Sequence, residues 1–142
     1  MTPPVSTNRQ THGRDPRHAL GRRGEELAAE YLRRGGYSVL ERNARTRYGE
    51  IDLVVRNRRA LVFVEVKTRG IGRSQGAPGE DQAPLAGLGM RQRARLRRLA
   101  AAWLADGQRS RPFAETVRFD AIGVVLDADG RLREVEHLEN AW

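Results

Sequence analysis

An α/β domain with the element order α-β-β-β-α-β-β is what this sequence predicts. Three observations point there. Two stretches carry apolar residues at helical spacing. Several short runs rich in Val, Ile, Leu and Phe are bounded by turn residues. A polar turn, Arg56-Asn57-Arg58-Arg59, separates two of those runs as a hairpin requires.

The first helix is expected from His18 to Arg34, because Leu20, Leu27, Ala28, Tyr31 and Leu32 fall on one stripe and Gly35-Gly36 follows as a stop. Tyr37 to Leu40 begins the first strand, which runs into Arg42-Asn43. The second strand is expected at Glu50 to Val55 and the third at Ala60 to Lys67, either side of the polar turn. Gly70 to Gly89 holds six glycines and two prolines and predicts a long flexible loop. Met90 to Ala105 is helical again, with Leu96, Leu99, Ala100, Trp103 and Leu104 as its apolar face and Gly107 as a stop. Val117 to Leu126 predicts a fourth strand, Asp129-Gly130 a turn, and Arg131 to Leu138 a last strand. Residues 1–17, rich in Pro, Thr, Asn, Arg and Gly, predict a disordered tail, which leaves 18–142 as one domain.

Composition narrows the function classes. The chain has no cysteine, which excludes disulfides and thiolate metal sites. No run approaches the ~20 apolar residues of a membrane span, and the N-terminus lacks an apolar signal core, so a cytoplasmic protein is expected. The formal net charge of +8 suits a polyanionic partner, since each neutralised phosphate releases counterions. A genome that writes arginine for every basic residue explains the arginine excess equally well. It does not explain Lys67, the one lysine among 26 basic residues.

Lys67 stands in Glu65-Val66-Lys67, directly after the apolar run Leu61 to Val64. Residues two apart on a strand share a face. Asp52 lies on the preceding strand. If Val55 opposes Ala60 across the turn, Asp52 faces Phe63, Glu50 faces Glu65, and Asp52, Glu65 and Lys67 share one face. Asp52 and Glu65 are then diagonal neighbours, about 7–8 Å apart, near enough for their carboxylates to converge. Mg²⁺ or Mn²⁺ suits such a site: Mg²⁺ prefers oxygen ligands and needs only one or two carboxylates. A bound divalent ion acidifies water and neutralises a phosphate. Lys67 could position the attacking water, stabilise the developing charge or, if its burial depressed its pKa, accept the proton. The plainer alternative is a strand-end salt bridge, and Glu-x-Lys alone is common by chance. Glu25 flanks the buried face of the first helix and is either a further ligand or an acid placed for the helix dipole.

The residues Gly24-Glu25-x-x-Ala28, Arg42-Asn43, Gly49 to Val54, Phe63 to Arg69, Arg118-Phe119-Asp120 and the ending Glu136 to Trp142 resemble the YraN family of small bacterial proteins. The resemblance covers the chain from about Ala19 onward, apart from the glycine-rich loop. It implies a restriction-endonuclease-like αβββαβ core, a mixed sheet flanked by helices, similar in layout to archaeal Holliday-junction resolvases. It also implies a PD-(D/E)xK nuclease site with Asp52, Glu65 and Glu25 toward the metal and Lys67 completing the motif. Where spacing left Glu50 and Asp52 both open, the resemblance selects Asp52 and leaves Glu50 as a supporting or substrate-facing group. The products implied are a 5′-phosphate and a 3′-hydroxyl. Relatives often carry a lysine near the start of the second helix, where Arg91-Gln92-Arg93 stands here.

Arg45, Arg47 and Arg69 lie near the acids in sequence and are candidates for the scissile strand, and Tyr48 for stacking on a base or capping the strand entry. Arg91, Arg95 and Arg98 share a helical face, either a phosphate-tracking stripe or an ordinary solvated surface. No groove-reading motif is evident, so DNA structure is the expected target rather than sequence. A homodimer would let two sites cut two strands. The contrasting expectation is a nucleic-acid-binding module, or a scaffold in DNA repair, recombination or uptake, that kept the fold without turnover.

Overall fold

The computed structural model describes residues 16–71, 89–110 and 113–141. The expected tail up to residue 15, loop residues 72–88 and Trp142 lie outside them. Helix α1 spans Pro16–Arg34 and so starts two residues before the expected His18. Its inner face is Ala28, Ala29 and Leu32, all fully buried, with Leu20 and Leu27 packed half-buried beside them. Tyr31, expected on the apolar stripe, instead sits at the rim and is 39% exposed. The helix ends in a Schellman motif: Gly36, at φ +92, donates to Arg33 O, and Tyr37 donates to Leu32 O. Only a residue free to adopt positive φ closes the helix this way without strain.

Five strands follow: β1 (Ser38–Thr46), β2 (Gly49–Arg56), β3 (Ala60–Gly70), β4 (Thr116–Leu126) and β5 (Leu132–Leu138). They form one mixed sheet in the order β1-β2-β3-β4-β5. Every neighbouring pair is antiparallel except β3 and β4, which run parallel from Ala60↔Thr116 to Gly70↔Leu126. A parallel pair needs a crossover connection. Here that connection carries helix α2, Met90–Ala105. The α-β-β-β-α-β order is that of a restriction-endonuclease-like core, with β5 added at the edge. β3 runs three residues past its expected end and takes up Gly70, the first residue assigned to the loop.

Each helix covers one face of the sheet. α1 packs on a cluster that includes Leu53, Val55, Val62, Val64 and Ile122. α2 buries Leu96, Leu99, Ala100 and Trp103 against Ala44, Ile51, Val54, Leu61 and Phe63. A core side chain of this size contributes about 1.5–3 kcal/mol on burial. α1 approaches β3 tightly at Gly24. A methyl group there would stand 1.8 Å from Thr68 Oγ1 and 2.8 Å from Thr68 Cβ, so the helix can rest on β3 only because this residue has no side chain.

The β2–β3 hairpin differs from its expected register. Asn57 Oδ1 accepts the amides of Arg59 and Ala60, which draws the turn tight around Asn57 to Ala60. Arg56 then opposes Leu61, and Val55 opposes Val62 rather than Ala60, a slip of two residues. Because the slip is even, no side chain changes face.

At the C-terminal side, Asp120 on β4 is charged and fully buried. Arg118 donates to both of its oxygens at 2.9 Å, His137 Nε2 lies 2.8 Å from Oδ2, and the Asn140 amide donates to Oδ1 at 3.0 Å. Arg118 also donates to the Tyr37 hydroxyl, and His137 Nδ1 lies 3.2 Å from the Tyr31 hydroxyl. Burial works to raise the Asp120 carboxyl, but the His137, Arg118 and Asn140 hydrogen bonds outweigh it and hold it below the ordinary range. Asp120 thereby links α1, Tyr37 just before β1, β4, β5 and the residues that follow it.

Two stability effects are expected. Gly24→Ala costs about 1–3 kcal/mol by overpacking against Thr68. Thr68→Ala in the same chain recovers part of it, which urea unfolding of the single and double variants measures. Asp120→Ala costs about 3–5 kcal/mol by stripping the acceptor from buried donors. Wild-type stability from this group is present above the unfolded carboxylate pKa and is lost as pH falls through the lower folded value. The Asp120→Ala variant lacks that acid-side loss in urea unfolding across pH.

Candidate active site

The site is generated where β2 leaves β3. Backbone pairing between them runs from Arg56↔Leu61 to Leu53↔Val64. Beyond Leu53, β2 continues to Gly49 against β1. Asp52 is the next residue, and its carboxylate takes over: Oδ2 accepts the Val66 amide at 2.8 Å. Continued by one step, the observed register sets Asp52 across from Glu65, where the expected register had set Phe63.

Side-chain alternation breaks at this residue. Leu53 and Val55 enter the cluster beneath α1, whereas Ile51, two residues from Leu53, enters the cluster beneath α2. Opposite Asp52 on β1, Asn43 adopts φ 48, and the ladder pairs Arg42↔Leu53 and Ala44↔Ile51 without pairing the position between them. Asn is among the few residues that accept the left-handed region readily. Glu50 consequently falls on the side away from Ile51, where its charge acts on Glu25.

The three acids and Lys67 share one electrostatic field. Burial pushes the Asp52 carboxyl up to about 7, and the charges of Glu65 and Glu25 push the same way, against the Val66 hydrogen bond and Lys67. Glu25 is also raised, by burial first, then by Glu50 and Glu65, against a hydrogen bond from Asn43 and the charge of Arg22. Glu25 follows directly on Gly24, so the close approach of α1 to β3 is what brings it within range. Lys67 Nζ lies 3.5 Å from Glu65 Oε1, with the Lys67 side chain 37% exposed and that of Glu65 15%. The lysine therefore stands at the mouth of the site and Glu65 within it.

The donor set is carboxylate oxygen throughout. Among the described residues no three His, Asp or Glu side chains converge into a ready-made metal cage. A hard divalent ion such as Mg²⁺ needs only one or two carboxylates and completes its octahedron with water. Asp52 and Glu65 fit that requirement. Their mutual repulsion in a half-buried site is the kind of charge a cation relieves.

The sequence-selected arginines divide. Arg45 and Arg47 flank the β1–β2 turn, and Arg95 reaches it, with Nη2 3.3 Å from where a side chain on Gly49 would begin. Arg69 follows Lys67 on β3, exposed, and Arg91 is exposed on the first turn of α2. Arg98, grouped by spacing with Arg91 and Arg95, lines a cleft with Arg45 and Arg47. Arg109 lines the same cleft and was not selected from sequence, because it lies beyond the helix where no periodicity marks it.

A family model described as Uncharacterised protein family UPF0102 matches residues 24–124. The chain belongs to the UPF0102 family. UPF0102 is the YraN family, so the resemblance carried by the sequence motifs holds. The matched region begins at Gly24-Glu25 and contains Asp52, Glu65 and Lys67. Among UPF0102 relatives, the chain is 48% identical over 125 residues to one from Frankia alni, covering 87% of this chain and 94% of the relative. It is 42% identical over 128 residues to one from Pelotomaculum thermopropionicum, covering 90% and 98%. A relative from Geobacter metallireducens is 40% identical over 124 residues, covering 87% and 92%. Among the described residues no helix is long and apolar enough to cross a membrane.

The raised Asp52 pKa predicts a stability slope. A folded value near 7 against 3.8 unfolded means that this group's contribution is complete below about pH 4 and is lost as pH rises to 7. Asp52→Asn keeps an acceptor for Val66 and removes the charge. In EDTA the variant is expected to be more stable than wild type above pH 7, by about 2–4 kcal/mol, and level with it near pH 4. Urea unfolding across pH checks the sign.

Proposed function

We propose that this protein is a metal-dependent endonuclease that hydrolyses DNA phosphodiester bonds with Mg²⁺ or Mn²⁺ and selects DNA by structure. The observation that carries the reading is the Asp52 carboxylate, held half-buried by the Val66 amide in the field of the Glu65–Lys67 pair. Pairing between β2 and β3 has ended at that point, and in this reading Asp52 and Glu65 face a ligand there.

In this reading Asp52 and Glu65 hold the divalent ion and Glu25 assists from α1. The bound ion supplies charge neutralisation at phosphorus and an acidified water. Lys67, partly exposed and 3.5 Å from Glu65, orients the attacking water and stabilises charge on the phosphoryl oxygens as it develops. Water oxygen loses a proton to solvent as it bonds to phosphorus, the bond from phosphorus to the 3′ oxygen breaks, and that oxygen leaves as a hydroxyl by taking up a proton from solvent. Glu65 keeps the ammonium directed inward. Arg45, Arg47, Arg69, Arg91 and Arg95 hold flanking phosphates as bidentate or point cations.

One observation favours a second reading, a nucleic-acid-binding module without turnover. The basic cleft lined by Arg45, Arg47 and Arg98 does not include the acids. A protein that only binds needs that surface and not Asp52.

Cleavage of labelled single strand, duplex, flap and four-way junction DNA, each with Mg²⁺, Mn²⁺ and EDTA, decides between them. Metal-dependent cutting is expected, reduced about 10²–10³-fold or more by Lys67→Ala and by Asp52→Asn. Salt-sensitive binding without cutting, the same in both variants, leaves the binding module standing and removes the enzyme.

A further inference from the structure

Between the β1–β2 turn and the second half of α2 lies a cleft of about 620 Å³. Four arginines line it, Arg45, Arg47, Arg98 and Arg109, against one acid, Asp106. The acid is already neutralised, because Arg109 Nη1 lies 2.7 Å from Asp106 Oδ2. Arg109 is committed as well: it donates to Glu41 at 2.8 Å and to the Arg45 carbonyl at 2.7 Å, and so forms the floor. The other three cations remain available. The Arg45 side chain is 87% exposed and, among the described residues, pairs with Glu50 at 3.2 Å, a weak surface pair. Among the described residues Arg47 and Arg98 have no ion pair.

The cleft also offers a flat face. Tyr48, at the tip of the turn, is 53% exposed. It is held there: its amide donates to Thr46 Oγ1 at 3.1 Å, and that hydroxyl donates to the Gly49 carbonyl at 2.9 Å. The Arg47 guanidinium lies 5.1 Å from the centre of its ring. Opposite, α2 presents Ala101 and Ala105. Cations around a small apolar wall and an ordered aromatic ring suit a phosphate joined to a flat base. A paired base offers neither of its faces. The volume lies within the range of pockets that enclose a small-molecule-sized group, about 300–1,000 Å³.

Position connects the cleft to the acids. Tyr48 precedes Asp52 by four residues, about 13 Å along an extended strand. That is about four nucleotides at the 3.4 Å rise of a stacked strand. We infer that this cleft seats an unpaired nucleotide, its phosphates on Arg45, Arg47 and Arg98 and its base on Tyr48, so that the preferred substrate is single-stranded DNA or DNA with a single-stranded arm. The inference rests on the proposed nuclease reading for what happens to that strand, and not for its capture.

Fluorescence anisotropy in EDTA tests it without catalysis, using labelled oligothymidine and a blunt DNA hairpin of equal length whose strands are joined by a non-nucleotide linker. Wild type is expected to bind the single strand more tightly than the hairpin. Tyr48→Ala is expected to weaken the single strand roughly 5- to 100-fold, the effect of losing one base–aromatic stack, and to leave the hairpin nearly unchanged. Tyr48→Phe retains binding. Removing Arg47 and Arg98 together flattens the dependence of log K on log salt by about 1.4 for the single strand. Circular dichroism shows each variant folded. Equal or tighter hairpin binding, or no loss in a folded Tyr48→Ala, overturns the inference even if metal-dependent cutting is found. The expected binding pattern without cutting in Mg²⁺ or Mn²⁺ upholds it and sinks only the nuclease reading.

Discussion

A single hydrogen bond, from the Val66 amide to Asp52, marks the place where the sheet stops satisfying itself and becomes a site. Below it, β2 and β3 bond backbone to backbone. Above it, β2 bends away with β1, and β3 runs on beside β4 alone. An amide left behind at that fork needs an acceptor, since unpaired buried backbone groups are costly. A side-chain carboxylate answers the need and is thereby held, half-buried, in the crotch between two strands. Its raised pKa follows from that position, because the bond which fixes it does not fully offset the water it has lost.

The fork in turn depends on packing from both faces. β2 must feed Leu53 and Val55 to α1, and Ile51 to α2, within five residues. The chain meets both demands by breaking its alternation at Asp52 and placing Asn43 in the left-handed region opposite. α1 adds the fourth charged group by lying almost directly on β3 at Gly24, which carries Glu25 toward the acids. Three mutually repelling carboxylates in a half-buried setting work against stability. The fold tolerates them because its two apolar clusters and the Asp120 network hold the sheet independently of this corner.

Charge is divided in space. The acids gather at the fork, whereas the uncommitted arginines of β1, the β1–β2 turn and α2 gather about four residues farther along β2. In the proposed reading, a polyanion drawn to the basic side meets the acidic corner where a cation or Lys67 offsets the repulsion. That reading assigns electrostatic attraction and chemistry to adjacent surfaces rather than to one pocket.

Much was legible in the chain itself. The element order and α2's span follow from apolar periodicity, which reports burial directly. The strand ends were legible to within a few residues. The Glu65–Lys67 pair, Asp52 and Glu25 could be picked out because their types, spacing and family motifs single them out. What the sequence by itself determined was thus which residues lie on which element. The tertiary structure decided how those elements meet. The hairpin register slipped by two because the Asn57 side chain closed the turn, a choice that spacing does not encode. The alternation of β2 broke between Ile51, under α2, and Leu53, under α1, because packing on opposite faces overrode a local pattern that sequence reading takes as unbroken. Arg109 and the cleft it floors were invisible for the same reason: a pocket is made of residues distant along the chain, and only the fold sets the distances between them.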